Sequence, residues 1–289
     1  MAFNRELVQT LVFPPVTQTV SKKDCQLYAL SVGLARDPLD RNELPFVYEP
    51  RLRVLPTMAA VLCTSGHWIA DPALRIDADK ALHGEQAVRL HRPIPVDTPI
   101  TGRSRVVNVW DKGRGKGAVV EVECQVADAK GTPVWTVNRT AYLRGEGGFN
   151  GRVQPKTEAW AAPERAPDAV CDLPSTGQQA LLYRLNGDLN PVHADPDVAS
   201  YAGFRQPILH GLCSYAIAGH ALLKSVCAYD ERRFRSLSLR FSAPVYPGET
   251  IRTEIWADRG RALFRCRALE RNVEIIVNGV FEFEAEGHA

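Results

Sequence analysis

The sequence has no CxxC, no apolar run near the roughly 18 residues of a membrane span, and almost no net charge. Each absence excludes something. The seven cysteines (Cys25, Cys63, Cys124, Cys171, Cys213, Cys227 and Cys266) are odd in number and scattered. That argues against a disulfide framework or a zinc ribbon and for buried free thiols in a reducing compartment. Lys+Arg 35 against Asp+Glu 33 leaves a formal charge of +2, which excludes a globally basic nucleic-acid binder. A local basic patch facing a phosphorylated ligand stays open. The first residues, MAFNRELVQTLVFPPV, hold only a short apolar stretch broken by Pro14 and Pro15, so no signal peptide is expected. The final Gly287-His288-Ala289 is not the peroxisomal address. A cytoplasmic enzyme is the expectation. An apolar fraction of 45% and a charged fraction of 24% fit a globular chain, neither disordered nor collagen-like. At 289 residues it can form one large domain or two.

Proline, by contrast, is plentiful, and its placement divides the chain. Between Gly145 and Gly177 stand Pro155, Pro163, Pro167 and Pro174. Pro fixes φ and removes a donor, so this stretch cannot form a long helix or a central strand. It predicts a unit over 1–150, a Pro-rich linker over 151–176 and a second unit over 177–289. The two units look like an eroded repeat. Pro93-Ile94 leads to Ile100 as Pro244-Val245 leads to Ile251. Trp110 precedes a Gly113 turn as Trp256 precedes a Gly260 turn. Tyr28 leads to Gly33 as Tyr183 leads to Gly187. Alternation predicts strands over 119–126 and 280–284, and weaker ones over 237–243, 250–256 and 261–268. A nearly all-apolar helix is predicted from Gly211 to Val226, hence buried. Asp195 before Pro196 predicts a capped short helix. Each unit then reads as a meandering antiparallel sheet around one buried helix, an α+β layering.

The chemistry concentrates in Tyr183 to Leu223, YRLNGDLNPVHADPDVASYAGFRQPILHGLCSYAIAGHALL. Asp188, Asn190 and His193 fall together in a Gly/Asn/Pro-rich turn, where local geometry holds side chains in place. A carboxylate beside an imidazole suits acid–base work, and Asn190 can orient a water. The same residue types also cap helices and close Asx-turns. His193, Asp195 and Asp197 have metal-ligand chemistry, but Pro196 and the capping position of Asp195 compete, so no metal is expected. Gly211 opens the buried helix, whose free N–H groups can stabilise negative charge on a closely approaching ligand oxygen. Tight packing is the competing explanation. His210 is as readily structural as functional. Cys213, on an apolar helix face, reads as a buried thiol and not a nucleophile.

YRLNGDLNPVHADP, PILHGLC and RFSAPVYPGET resemble the MaoC-like hydratases, specifically the type 2 enoyl-CoA hydratases. YALSVGLARDP, LPTMAAVLC, LHGEQ, VWDKGRGKGAVV and YLRGEGGFNG resemble that family too, so the likeness runs over about residues 15 to 285. The resemblance implies a double hot-dog fold: two antiparallel sheets, each wrapped around a buried central helix. It implies (R)-specific hydration of trans-2-enoyl-CoA to (3R)-3-hydroxyacyl-CoA and the reverse dehydration, in fatty acid metabolism. On this chain the family's catalytic Asp and His fall on Asp188 and His193, its assisting Asn on Asn190 and its oxyanion donor on the Gly211 backbone. Thioester and CoA contacts fall on His83, Gly84, Lys112 and Phe241, and His210 joins the substrate-binding set. Asn186 departs from the Ser or Thr common in the family before Gly-Asp. The first unit has no Asp-x-Asn-Pro-x-His, which implies one site per chain, with the first unit shaping the acyl tunnel and holding part of the CoA. No cofactor is implied, since CoA belongs to the substrate. A homodimer is expected, without nucleic-acid or membrane partners. The rival readings are a 3-hydroxyacyl-thioester dehydratase acting on carrier-protein substrates and a hot-dog acyl-CoA thioesterase.

Overall fold

The computed structural model describes residues 3–155 and 161–285. Part of the expected linker, residues 156–160, lies outside them. The first unit holds α1 (Arg5–Gln9), β1 (Val16–Thr19), α2 (Lys22–Ser31), β2 (Ala81–Leu90), β3 (Pro99–Asp111), β4 (Ala118–Asp128) and β5 (Pro133–Leu143). The second holds β6 (Ala169–Pro174), α3 (Gln179–Tyr183), α4 (Pro196–Tyr201), α5 (Gly211–Cys227), β7 (Phe234–Phe241), β8 (Thr250–Asp258), β9 (Arg261–Ala268) and β10 (Val273–Phe283). The strands form one antiparallel sheet in the order β1-β3-β4-β5-β2-β7-β10-β9-β8-β6.

Read inward from either edge, the order is the same: first, third, fourth, fifth, then second strand of each unit. The two units meet where β2 pairs with β7, Ala87 opposite Ser238. The repeat glimpsed in the sequence is therefore structural. Trp110 and Trp256 lie near the ends of the equivalent strands β3 and β8. Gly33 and Gly187 both take positive φ, 89° and 113°. The equivalent Tyr28 and Tyr183 rings pack together 6.1 Å apart.

The second unit wraps its strands around α5. The helix is apolar on nearly every side, and twelve of its seventeen residues are buried. It packs on β6, β7 and β8. Its many Ala and Gly residues let strands approach closely, and it stops where Ala228 turns left-handed at φ 48°. The first unit fills the equivalent space differently. Its α2 is short, carries a full capping box from Ser21 and Asp24, and packs on α3. A buried 3-10 turn, Pro56–Ala60, covers β2 and β5 instead. The C-terminal end of the expected linker is β6, an edge strand pairing with β8, where Pro174 is tolerated.

The interior falls into two apolar clusters. The larger surrounds α5 and includes Trp135, Val137, Val88 and Cys124. The smaller lies under α1 and includes Val120, Val122, Ala141 and Leu143. A buried polar knot also ties the units together. His220 on α5 bonds Glu43 at 3.2 Å, Tyr229 donates to the same carboxylate at 2.7 Å, and the Ala35 N–H donates to its other oxygen at 2.7 Å.

Candidate active site

The Asp188 loop is built by local hydrogen bonds. After α3 the chain makes a 3-10 turn, Arg184–Asn186, which ends at Gly187. Asn186, the residue that departs from the family pattern, donates to the Tyr183 carbonyl at 2.9 Å and to the Ser31 hydroxyl at 2.8 Å. It thereby pins the loop to α2 of the first unit. Gln179 adds a bond to the Ser31 carbonyl at 2.8 Å. Asp188 accepts from the Asn190 N–H at 3.2 Å, and Asn190 Oδ1 caps the Pro191–His193 turn by accepting from the Val192 N–H at 3.1 Å. Asp195 caps α4 through the Asp197 and Val198 N–H groups, as its position before Pro196 predicts. That commits its carboxylate to the backbone.

His193 is buried, and its Nδ1 lies 2.9 Å from the Ile208 carbonyl. A carbonyl only accepts, so Nδ1 carries the proton and Nε2 is left as a free acceptor. Burial lowers the His193 pKa below its ordinary 6.5, against the Ile208 hydrogen bond and the Asp188 charge, which pull it up. His210 stacks on His193, ring centroids 3.7 Å apart, and its Nε2 donates to the Asp188 backbone carbonyl at 3.1 Å. Burial, helped by His193, pushes His210 down to about 4. Two neutral stacked imidazoles therefore back the Asp188 loop. Ligand atoms of Asp188, His193 and His210 all lie within 4.8 Å of one another.

Gly211 begins α5 directly after His210. No hydrogen bond to its N–H occurs among the described residues. A Cβ here would sit 3.5 Å from the Phe241 ring, an ordinary contact. Packing within the protein therefore does not demand glycine, and the open amide favours the ligand-approach explanation. Phe241 meets the His83 ring edge-on, centroids 5.0 Å apart. The Asp188 charge reaches His83 as well as His193. Burial, followed by the Arg139 charge, holds His83 at about 4. Gly84 has a packing reason, because a Cβ would lie 2.6 Å from Thr140 Oγ1 on β5. Lys112 is exposed on the β3–β4 hairpin and bonds Gln154 at 3.3 Å. The structure thus gathers Asp188, Asn190, His193, His210 and Gly211, with Phe241 and His83 beside them, and places Lys112 on the surface. Cys213 is fully buried, and burial raises its pKa well above the ordinary thiol value, so it is no nucleophile.

The Ile208 carbonyl and the Ser31 anchor were not evident from sequence. Ile208 is fifteen residues from His193 and Ser31 lies in the other unit.

Residues 158–279 match the MaoC like domain, and residues 19–145 match the MFE-2 hydratase 2 N-terminal domain. A Mycobacterium tuberculosis protein named Enoyl-CoA hydratase ChsH3 is 37% identical over 92% of this chain and 94% of its own length. The chain belongs to the MaoC-like hydratases. The Arabidopsis thaliana protein named Enoyl-CoA hydratase 2, peroxisomal, is 35% identical over 96% of this chain and 95% of its own length. The crystal structure of a MaoC-like dehydratase from Phytophthora capsici superposes with a TM-score of 0.86 at 33% identity, covering 98% of this chain and all of that one. The double hot-dog expectation holds, with two differences: the two sheets join through β2 and β7 into one, and only the second unit has a long buried central helix. The hydro-lyase class follows from membership in this family. No helix among the described residues is long and apolar enough to cross a membrane.

Proposed function

We propose that this MaoC-like hydratase adds water to trans-2-enoyl-CoA with (R) specificity, giving (3R)-3-hydroxyacyl-CoA, and catalyses the reverse dehydration. The observation that carries this is His193, whose Nδ1–H is spent on Ile208, leaving a neutral Nε2 on a ring that has the Asp188 carboxyl group within 4.8 Å. Water held between the two side chains loses a proton to His193 Nε2 as its oxygen bonds C3. The Asp188 charge stabilises the imidazolium, which returns the proton to C2 on the same face, completing a syn addition. The Gly211 N–H receives the thioester oxygen as negative charge builds there. Asn190 holds the turn and presents its amide to the water.

His210 then acts by positioning the Asp188 backbone, without touching substrate. Phe241 and His83 flank the thioester, and the His83-Gly84 bulge carries His83 there. Lys112 meets CoA phosphate at the surface. Residues 177–289 carry the chemistry, and residues 1–150 hold acyl chain and CoA. No cofactor takes part. The seven cysteines, all unpaired and buried, support a reducing compartment, of which the cytoplasm is the expected one. A homodimer is the expected assembly.

The test is the loss of the conjugated-thioester absorbance when crotonyl-CoA is added, with chiral analysis of the product. The expected product is the 3R epimer; a 3S product, or release of free CoA thiol from a saturated acyl-CoA, overturns the reading. Because Asp188, His193 and His210 have the spacing of a metal site, the assay is repeated after dialysis against EDTA. Full activity is expected, and loss restored by a divalent cation would refute the metal-free mechanism.

The pH profile offers another check. A base must be neutral to work, so the rate falls as pH drops through the His193 pKa. With that pKa lowered, the acid limb of kcat/KM is expected below pH 6.5, whereas a limb above that value would contradict a buried neutral base.

A further inference from the structure

Arg139 lies on β5 directly opposite Gln86 on β2 and Val122 on β4, so the three side chains share a face. It is the inner face, because the residues two and four positions away on β5 (Trp135, Val137, Ala141 and Leu143) are all buried. The two apolar clusters divide at this row. Val137, Cys124 and Val88 belong to one, and Ala141, Val122 and Val120 to the other. Arg139 and Gln86 stand at the break.

Each carries one buried donor without an acceptor. Arg139 Nε and Gln86 Nε2 are buried donors that meet no acceptor. No ion pair to Arg139 occurs among the described residues. Burial lowers the Arg139 pKa with no carboxylate to offset it. Ser65, whose hydroxyl is also buried and unpaired, lies in the chain between Cys63 of the larger cluster and Trp68 beside the smaller. Arg139 is partly buried, and a donor of a charged group held inside the protein without an acceptor is costly and is normally paired. The row is continuous with the active site: the Arg139 charge acts on His83, Gln86 also bonds the His83 side chain, and His83 packs on Phe241 beside Gly211.

We infer that the Gln86–Arg139 row is an acceptor subsite in the acyl passage, and that the preferred substrate is an enoyl thioester whose acyl group carries a carboxylate. This rests on the enoyl-thioester reading above. A carboxylate supplies what the row lacks: a negative charge for the guanidinium and oxygen acceptors for both donors. A methyl-ended chain supplies neither and leaves both donors unmet. A ketone or hydroxyl satisfies the donors and not the charge.

The experiment compares kcat/KM for 2-enoyl-CoA esters of matched length, one series ending in methyl and the other in carboxylate, with crotonyl-CoA as reference. Wild-type enzyme is expected to favour the carboxylate series at least tenfold at its best length. Arg139→Met and, separately, Gln86→Leu should each reduce that ratio, Arg139→Met by tenfold or more and mainly through KM. Two variants are used so that poor folding of one leaves the other to decide. A wild-type ratio at or below one at every length overturns the subsite, as does a ratio that neither variant changes. Failure of wild-type enzyme to hydrate crotonyl-CoA or any chain in either series would instead refute the hydratase reading.

Discussion

Replacing His193 by Gln lowers kcat for crotonyl-CoA hydration by on the order of 10²–10⁴-fold, the usual contribution of a positioned general base. Asp188→Asn is expected to fall in the same range. Asn keeps a side-chain oxygen to accept the Asn190 N–H, so the loop keeps its shape and only the charge beside His193 is lost. Because both groups act on one water, their effects are far from additive. The double variant should sit within about tenfold of the weaker single variant. KM should move little, since neither residue is assigned to the CoA. The checks are initial rates over a range of crotonyl-CoA concentrations and circular dichroism to confirm the fold. Activity within tenfold of wild type in either single variant removes that residue from the mechanism.

The second large effect concerns stability. Glu43→Ala is expected to destabilise the protein by ~3–5 kcal/mol, the usual cost of removing one partner from a buried polar pair. The carboxylate serves His220, Tyr229 and the Ala35 N–H at once, and its loss strands all three inside the protein. Burial alone would raise the Glu43 pKa, but the hydrogen bonds from His220 and Tyr229 outweigh it and hold it at about 2. An ionised group with a depressed folded pKa stabilises fully above its ordinary 4.5 and loses that contribution as pH falls towards 2. The urea midpoint difference between wild type and variant should therefore be flat from pH 7 to about pH 5 and shrink below about pH 4.5. A difference that grows on acidification would show the sign to be wrong.

What could be read from the sequence depended on range. The α5 helix was legible because its apolar pattern is local, and it starts at Gly211 as expected. The Asp195 cap and the alternation of β4 were legible for the same reason. The central strand β2, ALHGEQAVRL, carries a bulge between His83 and Glu85 and a buried Gln86, which break its alternation. The turns between Leu44 and Lys80 are held by packing against the sheet, and no periodicity announces them. In the site, the Asp188, Asn190 and His193 spacing was visible, and the resemblance gave it meaning. The proton on His193 Nδ1 was not, because it depends on a carbonyl that arrives only when the chain folds back to begin α5. Arg139 and Gln86 are hidden for a related reason: they are fifty-three positions apart in the chain and adjacent only through strand register.

The bonds that Ser31 receives from Asn186 and Gln179 make the placement of Asp188 depend on a residue of the other unit. The α2 of the first unit presents the carbonyl that anchors α3 and the hydroxyl that anchors the turn leading into Asp188. Separating the two units would remove both of these anchors from the segment that leads into Asp188.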